Sequence, residues 1–392
     1  MEEKNIAVLG ATGSVGTQAL DVAAARGYRV DMLSASSSSA EMEVLARRFK
    51  PNIVAMADER AAEDLRVALA DTSVRVLSGE EGILEGIRES SAETFINSII
   101  GAAGLKPTLE VIEKRARLAL ANKESLVIAG HIVMPRAEKL GSEIIPVDSE
   151  HSAIFQSLRS GKREEIRRLI LTASGGPFFG YTREMLEHVT PDDALAHPTW
   201  KMGKKITVDS ATLMNKGFEV IEASYLFGVR PSDIEVTIHR ESILHSAVEY
   251  IDKSVVGELS VPDMRMCVQY AVDYPQRCVS SAEPLDLFSV GKLSFARPDR
   301  EAFPFLDLAE RTAECGGACS AVMNASDEVA VGAFLEERIS FTALIDTVCE
   351  VTERLMSSAS RTVSLDDVFS FDTEARMLTS ELIAKRIGRK IN

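Results

Sequence analysis

A chain of 392 residues, 45% of them hydrophobic, is long enough for a core of more than one domain, and a formal charge of −15 excludes a long basic stripe that could track nucleic-acid phosphates. The apolar runs are strand-sized rather than membrane-spanning, and the opening "MEEKNIAVLG" is acidic and enters a strand at once, without the pattern of an export signal. Cys267, Cys278, Cys315, Cys319 and Cys349 are odd in number and lack a second pair with zinc-site spacing, which predicts reduced thiols in a cytoplasmic protein.

From residue 4 to about 145, short β-branched runs alternate with helix-period stretches, predicting βαβ units and a Rossmann-type parallel sheet. The first strand runs into "GATGSVG", where Gly10, Gly13 and Gly16 permit a tight turn and the approach of a pyrophosphate to a helix start. The second ends in "LSASSSS". Asp31 lies inside that strand, too early to hold a ribose 2′-hydroxyl, whereas Ser36, Ser37, Ser38 and Ser39 can donate to a 2′-phosphate, which favours NADPH; the alternative is an ordinary polar loop. Further on, "SEIIPVD" predicts a strand ending at Asp148, with a helix beginning soon after in "HSAIFQSL". Asp148 and Glu150 then have two readings, a cap with a first-turn acid, or oxygen ligands of a hard cation that need a third ligand from elsewhere.

Mixed strands and longer loops follow, predicting a central α+β domain with a loop near 190–204. "TASGGPF" places Ser174 beside two glycines. "KITVDS" predicts a strand ahead of a helix carrying Glu219 and Glu222 at i and i+3, with Ser210, Asn215 and Lys216 as a hydroxyl, amide and ammonium suited to a phosphate. Pro275, Pro284 and Pro298 mark a connector, and the remaining segments have helical periodicity. The expected domains are 1–149, cofactor-binding; 150–274, catalytic and dimerising; 275–300, connector; and 301–392, a helical bundle.

Taken in order, "GATGSVG", "GAAGL", "LANKES", "PVDSEH", "TASGGPF", "HPTWKMGKKITVDSATLMNKGFE" and "SILHS", with "VPDM" and "NASDEVAVGAFL" beyond, resemble the 1-deoxy-D-xylulose 5-phosphate reductoisomerases. The resemblance implies conversion of that sugar phosphate into 2-C-methyl-D-erythritol 4-phosphate in non-mevalonate isoprenoid synthesis, with NADPH and Mg²⁺, Mn²⁺ or Co²⁺, by a homodimer. By matching motif, Asp148, Glu150 and Glu219 would ligate the metal and form the catalytic set with Lys123. Lys123 and Ser149 would touch substrate, Ser174, Ser210, Asn215 and Lys216 would hold its phosphate, and His197, Trp200 and Met202 would belong to a lid. The cofactor would lie against Gly10, Thr12, Gly13, Ser14, Val15, Gly16, Ser36, Ser37, Ser38, Asn122, Glu124 and Gly203. His245 would lie at the pocket edge and His151 would support the metal ligands, while His131, His188 and His239 read as structural or surface residues. The rival readings are an NADP-dependent semialdehyde dehydrogenase without a metal triad, and a non-catalytic dinucleotide sensor.

Overall fold

The described residues of the computed structural model are 4–200, 202–359 and 364–391. The first half of the chain forms β1 (Asn5–Leu9), α1 (Ser14–Arg26), β2 (Arg29–Ala35), α2 (Ser39–Phe49), β3 (Ile53–Met56), α3 (Glu59–Ala68), β4 (Arg75–Ser78), α4 (Gly79–Glu89), β5 (Thr94–Asn97), α5 (Leu105–Glu113), β6 (Arg117–Leu120), α6 (Glu124–Leu140), β7 (Ile144–Pro146) and α7 (Ser149–Ser157). There follow β8 (Ile166–Ala173), α8 (Arg183–Leu186), α9 (Pro191–Leu195), α10 (Lys204–Ala211), α11 (Met214–Phe227), β9 (Ile234–Ile238), β10 (Leu244–Tyr250) and β11 (Val255–Leu259). The remainder is helical: α12 (Met264–Asp273), α13 (Leu287–Val290), α14 (Phe305–Cys315), α15 (Cys319–Leu335), α16 (Phe341–Met356) and α17 (Leu365–Ile391).

Two compact units divide these elements. The first takes residues up to Ser125, Val133–Ser152 and Asp263–Glu283. Its seven strands run parallel in the order β4-β3-β2-β1-β5-β6-β7. Runs such as Ile6–Leu9 and Ile53–Met56 are buried throughout, as a parallel sheet covered on both faces requires. Strand order reverses at β1, so the loop after β1 emerges at the crevice where open α/β sheets bind ligands. Asp31 is part of the sheet's own bracing. Its buried carboxylate accepts from Ser90 Oγ at 2.6 Å, Ser91 N at 2.7 Å and Asn52 Nδ2 at 2.7 Å, bonds that outweigh burial and keep it ionised. Helix α12 belongs here too, where the sequence pattern placed it with the central domain. It packs on α1, and Arg117 Nη1 holds the carbonyls of Val272 at 3.2 Å and Tyr274 at 2.8 Å.

The second unit takes Leu126–Ile132, Ala153–Pro262 and the chain from Pro284 on. Its mixed sheet has the order β11-β10-β8-β9, with β8 parallel to β9 and antiparallel to β10. One core joins this sheet to α11 and the C-terminal helices: Leu169, Leu171, Phe218, Phe305, Phe334 and Phe341 are all buried in it, and Phe178 meets Phe341 edge-on at 5.1 Å. The C-terminal helices therefore complete the central unit's core instead of standing apart as the expected separate bundle.

The segment "KITVDS" is helical, not a strand: it lies in α10. Gly203 caps that helix, Thr207 Oγ1 donates to the Gly203 carbonyl at 2.8 Å, and Lys205 pairs with Asp209 at 2.6 Å across one turn. With Thr207, Val208 and Asp209 buried as well, tertiary packing overrides a β-branched local preference. All five cysteines are free thiols, and among the described residues no helix is long and apolar enough to cross a membrane.

Candidate functional site

The loop after β1 is shaped by its glycines. Gly10 stands at φ +83°, where an added Cβ would lie 2.7 Å from the Ser98 carbonyl oxygen, and a Cβ on Gly16 would lie 2.2 Å from the Gly10 carbonyl oxygen. These two close the turn against the exit of β5 and the start of α1. Gly13 differs, because its added Cβ would meet only Gly10 O, at 3.2 Å, and as N-cap of α1 it has no side-chain cap. The Thr12, Ser14 and Val15 segment therefore leaves the helix's first N–H groups open to an anionic group, a fit for a pyrophosphate. The amides of Gly10 and Ala11 donate to Ser34 O at 3.0 and 2.8 Å, which ties this turn to the end of β2, and the exposed Ser36, Ser37 and Ser38 follow directly.

Asn122, Lys123 and Glu124 leave the carboxyl end of β6. The Asn122 amide donates to Ile99 O at 2.8 Å, Gly101 O at 3.0 Å and Glu124 Oε2 at 2.9 Å, so that side chain is committed to the fold. Neighbouring parallel strands end side by side, and β6 and β7 thereby bring Lys123 Nζ within 2.7 Å of Asp148 Oδ2. Strand β7 stops at Pro146, short of the expected end, and α7 starts at Ser149, whose amide donates to Asp148 Oδ1 at 3.1 Å. Asp148 is thus the N-cap, and Glu150 sits in the first turn with Ser149 Oγ donating to it at 2.6 Å. Burial opposes the charge on Asp148, but Lys123 and His151, whose Nδ1 is 3.7 Å away, prevail and hold the carboxyl far below the ordinary range. The cap is the local reason for the conformation, and it leaves ionised oxygens at a strand's carboxyl end.

In the second unit, Gly176 explains how two distant serines meet. It lies at φ +65°, and a Cβ there would be 2.6 Å from Ser210 O, so only glycine lets the Ser174 turn rest on the end of α10. His197 Nε2 is 3.0 Å from Ser174 Oγ and 3.1 Å from Ser210 Oγ. Its Nδ1 accepts the amides of Thr199 at 3.2 Å and Trp200 at 2.9 Å, which fixes the tautomer with the proton on Nε2. Burial, and then the charge of Arg240, lower the His197 pKa to about 4, so the ring is neutral at pH 7. Ser174 Oγ also accepts from Gly176 N at 3.2 Å. The single Nε2–H is shared between the two serine oxygens, which leaves each hydroxyl its own hydrogen for an anionic oxygen. Trp200 stands with its ring 6.3 Å from that of the buried His245.

Helices α10 and α11 join at Leu213, held at φ +61°, and α11 supplies the rest of the set. Asn215 Nδ2 donates to Glu219 Oε1 at 2.5 Å, and the buried Lys216 ammonium pairs with the other oxygen of Glu219. Met202 and Gly203 precede α10 and are half-buried and exposed; Lys201, between Trp200 and Met202 in the 190–204 segment, lies outside the described residues.

Two groups here were not singled out from sequence. Arg240 Nη1 donates to Gly176 O at 2.7 Å, with its guanidinium 5.3 Å from the Phe179 ring. Lys205 pairs with Asp209 at 2.6 Å and with the fully buried Asp327 at 2.9 Å, tying α10 to α15. The i,i+4 spacing of Lys205 and Asp209 is the only local hint of the second, and nothing in "HRES" hints at the first.

Family models describe the same chain in three parts: 1-deoxy-D-xylulose 5-phosphate reductoisomerase over residues 6–130, its C-terminal domain over 144–227, and a DXP reductoisomerase C-terminal domain over 259–378. The 1-deoxy-D-xylulose 5-phosphate reductoisomerase of Acetivibrio thermocellus is 47% identical over 380 residues, covering 96% of this chain and 99% of the relative. The chain belongs to the 1-deoxy-D-xylulose 5-phosphate reductoisomerase family. The reductoisomerase of Pseudomonas aeruginosa is 43% identical over 394 residues, 98% of this chain and 99% of its own. Among solved reductoisomerases, that of Zymomonas mobilis in complex with NADPH superposes with a TM-score of 0.91 at 39% identity, over 97% of this chain and 99% of that one. A second, in complex with NADPH, fosmidomycin and magnesium, gives 0.91 at 35% identity over 97% and 98%. Membership in this family of reductoisomerases disposes of the dehydrogenase and sensor alternatives.

Proposed function

We propose that the chain converts 1-deoxy-D-xylulose 5-phosphate into 2-C-methyl-D-erythritol 4-phosphate in the non-mevalonate route to isoprenoids, with NADPH as hydride donor and a divalent cation. The observation that carries the residue assignment is the Ser174–His197–Ser210 bridge, in which a neutral histidine shares its one N–H between two serine oxygens and leaves both hydroxyl hydrogens to donate. With Asn215 and Lys216 it makes a cradle of uncharged and cationic donors suited to the substrate's phosphate. The open face at Gly13 and the serines after β2 suit the pyrophosphate and 2′-phosphate of NADPH, supporting Gly10, Thr12, Gly13, Ser14, Val15, Gly16, Ser36, Ser37 and Ser38 as cofactor residues, while Asn122, Glu124 and Gly203 stay in the proposed set on the resemblance alone.

Asp148, Glu150 and Glu219 would hold the cation, and their all-carboxylate chemistry fits Mg²⁺, Mn²⁺ or Co²⁺. A cation held there would supply Lewis acidity toward the substrate's ketone and adjacent hydroxyl. Lys123, paired with Asp148, keeps that carboxylate ionised, and with Ser149 it would orient the substrate's hydroxyls. Asn215 and Lys216 each brace Glu219, so a grip on the phosphate and the placing of a ligand are coupled on one turn of α11. Trp200 and Met202, in the segment that His197 anchors, would exclude water from the aldehyde before it takes the hydride.

On this reading the protein works in the cytoplasm as a homodimer, for which the exposed Val255 and Leu259 on the edge strand β11 offer a surface. The test of the activity is the loss of NADPH absorbance with purified protein, the xylulose phosphate and Mg²⁺ or Mn²⁺. Consumption that needs both sugar and cation supports the proposal; absence of consumption with any of the cations ends it.

A further inference from the structure

Arg240 lies outside every motif by which the site was read, yet it touches the part of the cradle that has the least support of its own. The turn Ser174-Gly175-Gly176 runs through two successive positive φ values, +79° at Gly175 and +65° at Gly176, and Gly176 N donates to Ser174 Oγ at 3.2 Å. Arg240 Nη1 donates to Gly176 O at 2.7 Å and lies 3.4 Å from Ser174 O, while the face of Phe179 holds the guanidinium from another side at 5.3 Å. One nitrogen of this permanently charged group thus reaches two carbonyls of one turn, and its charge is felt at His197.

We propose that Arg240 is a positioning residue for the substrate's phosphate, bracing the Ser174–Gly176 turn and adding positive charge behind the Ser174–His197–Ser210 bridge. This deepens the functional reading given above and rests on it. The same charge disfavours protonation of His197, second only to burial. A protonated ring would place a hydrogen on Nδ1, against the amides of Thr199 and Trp200, and would disturb the segment that anchors Trp200. Arg240 therefore acts on Ser174 through the turn carbonyls and adds its charge to the burial that keeps the His197 ring between the two serines neutral.

The chain's single tryptophan, Trp200, is bonded to His197 and gives a readout that needs no turnover. Titration of the full-length protein with inorganic phosphate, followed by Trp200 fluorescence, compares wild type with Arg240→Ala, Arg240→Gln and Arg240→Lys. The dissociation constant for phosphate rises about tenfold in Arg240→Ala, the scale of one partly screened charge contact, and Arg240→Lys recovers most of the loss while Arg240→Gln does not. In turnover assays KM for the sugar phosphate rises by a similar factor while kcat stays within about threefold, since the chemistry lies elsewhere. NADPH affinity stays at the wild-type value and serves as the folding control; where Arg240→Ala fails that control, the Gln and Lys pair decides. Phosphate affinity within twofold of wild type in Arg240→Gln, or equal loss in Arg240→Lys and Arg240→Gln, overturns the inference. A wild-type protein that binds phosphate with this dependence on Arg240 but never turns over upholds the inference and sinks the reductoisomerase reading.

Discussion

Gly176→Ala is the smallest change that separates the two serines of the cradle. At φ +65° an alanine costs about 1 kcal/mol in backbone strain alone. Its Cβ would also lie 2.6 Å from Ser210 O and 3.1 Å from Ala211 Cα, both backbone atoms of a buried helix, and relief of that overlap adds roughly 1–3 kcal/mol. The turn must lift from α10, which takes Ser174 Oγ from His197 Nε2 and leaves the phosphate short of one donor. Losing a hydrogen bond to a charged group is worth roughly 1.5–3 kcal/mol, so KM for the xylulose phosphate rises roughly ten- to a hundred-fold. Gly180→Ala is the matched control: φ is +86°, but an added Cβ meets nothing within 4 Å. It shares the strain of about 1 kcal/mol without moving the turn, and its KM is that of wild type. Steady-state kinetics with thermal unfolding on both variants makes the comparison. If Gly176→Ala has a KM within twofold of Gly180→Ala, the reasoning that a close glycine contact assembles the cradle is wrong.

Gly16→Ala puts a Cβ 2.2 Å from Gly10 O, so it destabilises the protein by about 2 kcal/mol and weakens NADPH binding, as read by thermal unfolding and cofactor fluorescence; unaltered NADPH affinity would count against the turn as the pyrophosphate site. Glu219→Gln keeps NADPH binding and loses cation-dependent turnover by at least about a hundredfold, because a charged ligand and the partner of Lys216 go together; full turnover in that variant refutes the triad. His197, with a pKa near 4 when folded and about 6.5 when unfolded, refuses below pH 6.5 a proton that the unfolded chain accepts. Its contribution to stability is therefore full above pH 6.5 and is lost as pH falls towards 4. Urea titrations of His197→Gln across that window show a shallower loss of stability than wild type; parallel curves would mean that the ring is not held neutral.

The parallel sheet and the glycine turn were legible because each is set by short-range pattern, alternating strand and helix periods and glycines at a junction, and the residues proposed for the cradle stood out as polar groups near a helix start. "KITVDS" misled because β-branched residues prefer strands in isolation, whereas the Gly203 cap, the Lys205–Asp209 pair and deep burial make it helical. Asp148 looked like a choice between cap and ligand, yet the structure shows the cap itself holding ionised oxygens outside the sheet, so the two readings are compatible. The unit boundaries were hidden because α12 is recruited by α1 and by Arg117, and the C-terminal helices by a core centred on Phe218 and Phe341, contacts with no local signature. The tautomer of His197 and the grip of Arg240 on the Gly176 carbonyl likewise exist only once distant segments have met.

The account's central claim is that reduction here is coupled to a change of carbon skeleton. The most direct test is ¹³C NMR of the product made from uniformly labelled 1-deoxy-D-xylulose 5-phosphate with NADPH and Mg²⁺. The account predicts a branched product whose carbon–carbon couplings match 2-C-methyl-D-erythritol 4-phosphate, whereas a reduced product with the original linear couplings would contradict it.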